Sequence, residues 1–347
     1  MHQGMFASYG HNTYTAAPDS SLQDVRGEKT IFNPANPAEV PMFGFTYGHR
    51  VRVVLEMHKK SSGNFVINLR SGLDIIMHFN PRLNERALIL NSFHGGRWED
   101  EERATVIFPF KPGEIYTVEL VASGRNSVYI YVNGQLLYEF RERQSGNQVA
   151  AVQVSGDIDI HAIHQIMIGE YYTGPGSGSD YSPAPSQWQG GQSGQGGQQQ
   201  GGGPPGSGFS REIYNPTNPV QVPIRGFPQG SRLRVVLQML DKGAGTFSIN
   251  LKNGNDILMH FNPRLKEKSV VFNSYYDGSW GYEERPSGSF PFEKKRLHTV
   301  EIMASSNNAL LVYVDGQFLY EFHQRQQDSV SCIDIGGDIN IHAVYVS

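Results

Sequence analysis

Val128-Tyr129-Ile130-Tyr131-Val132-Asn133-Gly134-Gln135-Leu136-Leu137-Tyr138 decides the fold class. β-Branched and aromatic residues flank an Asn-Gly pair that tolerates the two positive φ angles of a type I′ turn, so the stretch predicts a β-hairpin. Working outward, Arg50-Val51-Arg52-Val53-Val54-Leu55, Asn64-Phe65-Val66-Ile67-Asn68-Leu69 and Leu233-Arg234-Val235-Val236-Leu237 are further short strand patterns. No segment holds a helical period, and turn residues recur every 8–12 residues or so, the spacing of an all-β sandwich.

The hairpin has a counterpart around Asp315-Gly316, at an offset of 182 residues that persists along the chain. Asn33-Pro34-Ala35-Asn36-Pro37 returns as Asn215-Pro216-Thr217-Asn218-Pro219, and Met77-His78-Phe79-Asn80-Pro81-Arg82 as Met259-His260-Phe261-Asn262-Pro263-Arg264. A fixed offset held over so many positions reports a duplicated domain. The expected organisation is an N-terminal tail over 1–27, one domain over 28–170, a linker over 171–208 and a second domain over 209–347. The tail and the linker are expected to be disordered, because the Gly, Gln, Ser and Pro of the linker bury too little to repay their ordering entropy. A flexible tether of that length reaches about 35 Å, which predicts domains that reorient independently.

Composition narrows the function classes. The chain has 347 residues, 29 Lys plus Arg and 33 Asp plus Glu, a formal charge of −4 that gives phosphate binding no help. Its single cysteine, Cys332, excludes an intrachain disulfide and a thiolate zinc cluster, and is expected to be a small buried apolar residue. The segment from Met1 to Arg26 lacks a signal peptide's apolar core, and no run reaches the roughly 20 apolar residues of a membrane helix, so synthesis in the cytosol is the expectation.

Each half carries one polar set in one order: His78, Asn80, Arg82, Asn91, Trp98, Glu101 and Arg103, then His260, Asn262, Arg264, Asn273, Trp280, Glu283 and Arg285. The i, i+2, i+4 spacing of His, Asn and Arg puts all three on one face of a strand, with Met77, Phe79 and Pro81 on the other. If the next strands bring Asn91, Glu101 and Arg103 to the same face, the result is a shallow platform with an indole at its edge. Such a platform suits a sugar, whose hydroxyls both donate and accept and whose C–H face lies flat on an aromatic ring. An axial hydroxyl presented to His, Asn and Arg leaves the opposite ring face clear for Trp, which selects galactose over glucose. The Arg–Glu–Arg grouping is expected to fix the donors in advance.

His-Phe-Asn-Pro-Arg, the downstream Asn and Trp-x-x-Glu-x-Arg resemble the signature of the galectins, as do Phe-x-x-Asn-Leu at Phe65–Leu69, Phe108-Pro109-Phe110, Tyr-Val-Asn-Gly-Gln at Tyr131–Gln135 and Gly-Asp-Ile at Gly156–Ile158. The resemblance covers both halves and implies a tandem-repeat galectin. That means two jelly-roll β-sandwiches that bind β-galactosides of the lactose or N-acetyllactosamine type without a cofactor or metal, made in the cytosol and secreted without a signal peptide. It implies glycans on glycoproteins and glycolipids as partners, no nucleic acid, no membrane insertion, and a two-site monomer with room for self-association. By the family's roles, His78/His260, Asn80/Asn262 and Arg82/Arg264 hold the galactose 4-hydroxyl, Asn91/Asn273 and Glu101/Glu283 the 6-hydroxyl, Trp98/Trp280 the ring face, and Glu101/Glu283 with Arg103/Arg285 and Arg82/Arg264 the neighbouring sugar. The Arg82–Asn91 and Arg264–Asn273 connections are shorter than in many galectins. Glu99-Asp100 stands where the second half has Gly281-Tyr282, which predicts a more acidic first rim and different preferences at the two sites.

Three rival readings are weaker, and the first of them, a nucleic-acid role resting on the Gly/Gln/Tyr-containing linker, is disfavoured by the net negative charge. A glycosidase needs two carboxylates about 5–9.5 Å apart with one protonated, and in the second half the repeated set supplies only Glu283, held ionised by arginines; Glu102 and Glu284 alternate to the other face. A calcium lectin would need an Asp/Asn-rich loop. His161 and His342 are expected to be ordinary packed or solvated histidines.

Overall fold

The computed structural model describes residues 28–60, 63–123, 126–167 and 210–347; the expected tail and the expected linker lie outside them. The first half contains β1 (Glu28–Phe32), β2 (Ala38–Pro41), β3 (His49–Met57), β4 (Phe65–Ser71), β5 (Asp74–Arg82), β6 (Ala87–His94), β7 (Arg97–Trp98), β8 (Glu102–Ala104), β9 (Ile115–Ala122), β10 (Ser127–Val132), β11 (Gln135–Arg141), β12 (Ala151–Gly156) and β13 (Ile158–Met167). The second contains β14 (Arg211–Tyr214), β15 (Val220–Pro223), β16 (Arg232–Met239), β17 (Phe247–Asn253), β18 (Asp256–Arg264), β19 (Ser269–Tyr276), β20 (Ser279–Trp280), β21 (Leu297–Ala304), β22 (Ala309–Val314), β23 (Gln317–His323), β24 (Cys332–Gly337) and β25 (Ile339–Val346).

Each half is a sandwich of two antiparallel sheets. In the first, β1-β13-β3-β9-β10-β11 faces β2-β12-β4-β5-β6-β7, with β8 also paired to β6; in the second, β14-β25-β16-β21-β22-β23 faces β15-β24-β17-β18-β19-β20. The deciding hairpin forms with Val132 opposite Gln135 and with φ of 49° at Asn133 and 75° at Gly134. Asp315 and Gly316 repeat this turn at 49° and 78°. Inward residues such as Val53, Leu55, Phe65, Ile67, Phe79 and Leu90 fill the first core, and Val235, Leu237, Phe247, Ile249 and Phe261 the second.

The two domains, expected to reorient independently, are in contact. Along β3, Val51, Val53, Leu55 and Met57 point into their own core, and alternation alone would turn Arg50, Arg52 and Val54 to water; instead all three are buried. They lie against the second sandwich. A third apolar cluster joins Val54 and Ala162 to Val236, Leu297, Ala343 and Tyr345, with Phe32, Ile115 and Tyr214 at its margin. The outer faces of the β3 and β16 sheets therefore pack on each other, and desolvating that apolar surface opposes separation.

Cys332 is half-buried on β24 rather than fully interior, with its thiol raised by what burial there is. His161 and His342 are packed, and what they pack on is the other domain.

Candidate functional site

The site strand of each half is an inner one of its sheet. β5 runs between β4 and β6 with Asn68 opposite His78 and His78 opposite Asn91; β18 repeats this with Asn250, His260 and Asn273. Met77, Phe79 and Pro81 are buried, as are Met259, Phe261 and Pro263, so one face of the strand anchors it and the other carries His, Asn and Arg. Trp98 pairs with Phe93 at the end of β6, and Trp280 with Tyr275 at the end of β19. In the first half Arg103 of β8 pairs with Ile89 of β6; in the second a single bridge from Phe272 to Glu284 takes the place of β8.

The seven side chains of each set share one patch, with Asn91 and Asn273 beside His78 and His260 on the neighbouring strand. The imidazole and indole centroids lie 4.9 Å apart in both halves, and the indoles are 49 % and 52 % exposed although tryptophan is among the largest apolar side chains. An indole left half in water at the margin of a polar row is a surface for an apolar ring face. Arg82 Nε donates to Asn80 Oδ1 (2.9 Å) and its Nη2 to Glu101 Oε2 (3.2 Å), while Arg103 Nη2 meets Glu101 Oε1 (2.8 Å). Arg264, Asn262, Glu283 and Arg285 repeat the lattice at 2.7, 2.9 and 2.7 Å. Exposed ion pairs of this kind contribute little to stability. Their effect is to hold the guanidinium planes in place before anything binds.

Asn91 and Asn273 have a structural part as well. They are buried, Asn91 donating Nδ2 to Glu99 O and accepting from Ser92 N and Arg143 Nη1, and Asn273 doing the same with Gly281 O, Ser274 N and Arg325 Nη1. Their first task is to fasten the turn that carries the tryptophan, which leaves one Nδ2 hydrogen for a ligand.

Three pairs of supporting residues went unassigned in the sequence. Asn68 Oδ1 meets His78 Nδ1 at 2.7 Å, and Asn250 Oδ1 meets His260 Nδ1 at 2.6 Å. Asn250 Nδ2 also donates to Asp334 Oδ2, and Asn68 Nδ2 to Gln153 Oε1, so in both halves the amide oxygen faces the imidazole and the ring carries its proton on Nδ1. Burial, and then the charge of Arg82 or Arg264, brings both histidines down to about 4. Each is therefore neutral at pH 7, with Nε2 as an acceptor for a hydroxyl. Arg143 and Arg325 form the second pair and Glu85 and Glu267 the third. All three recur at the 182-residue offset, the signal that could have found them.

Glu85 and Glu267 correct the carboxylate inventory. Arg103 Nη1 donates to Glu85 (2.9 Å) and Arg285 Nη1 to Glu267 (2.7 Å), so each platform holds two acids and not one. Hydrogen bonds from Arg103 and Arg285 hold Glu85, Glu267 and Glu283 below the usual carboxylate range. Glu102 and Glu284, which alternate away, accept from Tyr138 (2.6 Å) and Tyr320 (2.8 Å). A hydrolase acid must keep its proton near neutrality, whereas the arginines hold Glu85, Glu267 and Glu283 as hydrogen-bond acceptors.

The two sites part company behind the tryptophan. Arg143 lies 3.5 Å from Glu99, so one of the two acids of the first rim is paired. Arg143 also reaches Glu102 at 3.4 Å, whereas Arg325 holds the equivalent Glu284 at 2.6 Å, donates to Tyr282 O and stacks 3.9 Å over the Tyr282 ring. Gly281 permits this, because a Cβ there would run into the Arg325 guanidinium.

A family model described as galactoside-binding lectin matches residues 39–165 and 219–346. Galectin-4 of Homo sapiens is 29 % identical over 339 residues, covering 92 % of this chain and 98 % of its own. Galectin-4 of Sus scrofa is 31 % identical over 342 residues with the same coverage. A 32 kDa beta-galactoside-binding lectin of Caenorhabditis elegans is 27 % identical over 306 residues, 87 % of this chain and 89 % of its own.

Proposed function

This chain belongs to the galactoside-binding lectin family, and we propose that its two carbohydrate-recognition domains link galactose-bearing glycans without help from a metal. The observation that carries the reading is the coincidence, twice in one chain, of a neutral imidazole, a carboxamide and a clamped guanidinium on one strand face with a half-exposed indole 4.9 Å from the imidazole. The axial 4-hydroxyl of a β-galactoside would donate to His78 or His260 Nε2 and accept from Asn80 or Asn262 and from Arg82 or Arg264. Its apolar face would lie on Trp98 or Trp280. Glu101 with Arg103, and Glu283 with Arg285, would meet the next sugar of a lactose or N-acetyllactosamine unit. Asn91 and Asn273 would offer their remaining hydrogen to the 6-hydroxyl.

The protein is read as a lectin and not as an enzyme, because the acids on the platform are engaged by arginines and the chemistry there is recognition. Its partners would be glycoproteins and glycolipids at the cell surface, reached by export from the cytosol, and one chain would supply both sites. Lactosyl-agarose tests this. Retention in the presence of a chelator, release by lactose and no release by mannose is the expected result. Flow-through, or release by the chelator, would contradict it.

A further inference from the structure

The contact between the two sandwiches is built with reciprocal pairs. His161 Nε2 lies 2.8 Å from Thr299 Oγ1, and His342 Nε2 lies 3.0 Å from Thr117 Oγ1. Glu212 of the second domain reaches Arg52 at 2.8 Å, and Glu28 of the first reaches Arg234 at 2.7 Å and Arg232 at 2.8 Å. Tyr345 lies against the Arg52 guanidinium at 4.5 Å. His161 and His342, Thr117 and Thr299, and Ala162 and Ala343 are the same positions of the duplicated fold, so the interface follows a pseudo-two-fold and each domain offers the other nearly the surface that it receives. Buried ion pairs add little net affinity once desolvation is counted, but they penalise any other register, and the apolar centre supplies the adhesion.

Geometry then constrains recognition. The sheet that docks (β1-β13-β3-β9-β10-β11, or β14-β25-β16-β21-β22-β23) is the one opposite the sheet that bears the site in each sandwich. Four sheets are stacked, and at about 10 Å between facing sheets the two sugar platforms stand about 30 Å apart on opposite outer faces. Resting on the galactoside reading above, we infer that the chain is a rigid, back-to-back linker whose sites bridge two facing glycan surfaces and cannot both engage one. Avidity of about 10²–10⁴-fold comes from tethered sites that reach the same surface, and it vanishes where geometry forbids simultaneous engagement.

The test compares the full chain with its single-site variants (Trp98→Ala or Trp280→Ala) on a planar phosphatidylcholine bilayer carrying a lactosyl lipid. Wild type is expected to dissociate as a single-site variant does, yet to aggregate vesicles of that composition. Ala162→Arg with Ala343→Arg, which crowds the interface without touching either core, is expected to gain about 10²–10⁴-fold in retention on the planar bilayer; His161→Ala with His342→Ala serves if the first pair fails to fold. Avidity of the wild type over its single-site variants on the planar bilayer would overturn the inference. A second readout needs no sugar: a protease site is inserted at residues 190–195 of the full chain, which is then cut. The halves are expected to co-elute at the mass of the intact chain, and separate elution would overturn the docking itself. Failure of every form to bind the lactosyl bilayer would instead overturn the galactoside reading.

Discussion

Replacing Asn68 with Asp perturbs the sugar site through one proton. In the native site His78 is neutral, brought down to about 4 by burial and by Arg82, with Nδ1 against Asn68 Oδ1 at 2.7 Å. A carboxylate at that distance favours the imidazolium by about 1–3 pK units, each worth about 1.4 kcal/mol, so Asn68→Asp moves the titration of His78 to about pH 5–7. A protonated ring has lost the Nε2 lone pair to which a sugar hydroxyl donates, so affinity falls as pH drops through the new value. With a shifted value near 6, lactose affinity falls about two-fold at pH 6 and about ten-fold at pH 5 relative to pH 8. Wild type stays flat over that range, because its histidine loses the acceptor only as pH falls through about 4. Lactose calorimetry on a chain also carrying Trp280→Ala isolates the first site. An Asn68→Asp profile parallel to wild type from pH 5 to 8 would refute the idea that a neutral, Nδ1-protonated His78 is the acceptor.

Other consequences can be checked alongside it. Arg325→Ala should weaken the second site more than Arg143→Ala weakens the first, by about 1–3 kcal/mol against about 1, since Arg325 holds Tyr282 O at 2.7 Å and Glu284 at 2.6 Å where Arg143 reaches Glu99 only at 3.5 Å and Glu102 at 3.4 Å; lactose titration of each singly active chain measures this. Glu267→Gln should free one side of Arg285 and lower affinity for a disaccharide more than for galactose alone, a ratio that the same titrations give. Docking should weaken as pH falls from about 6.5 toward 5. Burial brings His161 and His164 down to about 4 and His342 to about 3, so an opened form binds more protons, at up to about 1.4 kcal/mol per pH unit for each ring. Burial pushes the Glu28 carboxyl up, but Arg234, His164 and Arg232 outweigh it and hold it well below the carboxylate range, which adds in the same direction lower on the scale; elution volume of the cut chain against pH reads the result.

The strands and the site row were legible because period two, the Asn-Gly turn and the offset are local signals. His78, Asn80 and Arg82 declare their shared face by spacing alone, and Met77 and Phe79 declare the opposite one. The domain contact was not legible, since Arg50 and Arg52 read as a solvated edge to any argument confined to one sandwich; their burial depends on Glu212, 160 residues from Arg52 along the chain. Asn91 was half legible for a related reason. A carboxamide on the right face looks like a ligand group, and only the positions of Glu99 O and Arg143 show that holding the indole turn is its first task. Glu85 was passed over because it follows the strand instead of alternating within it, yet it braces both Arg82 and Arg103.

The stoichiometry of lactose binding to the intact chain, measured by calorimetry, bears most directly on the paired sugar platforms. Two molecules per chain are expected, one after Trp98→Ala or Trp280→Ala, and none after both. A saturating heat that survives the double substitution, or no saturable heat in the wild type, would contradict it.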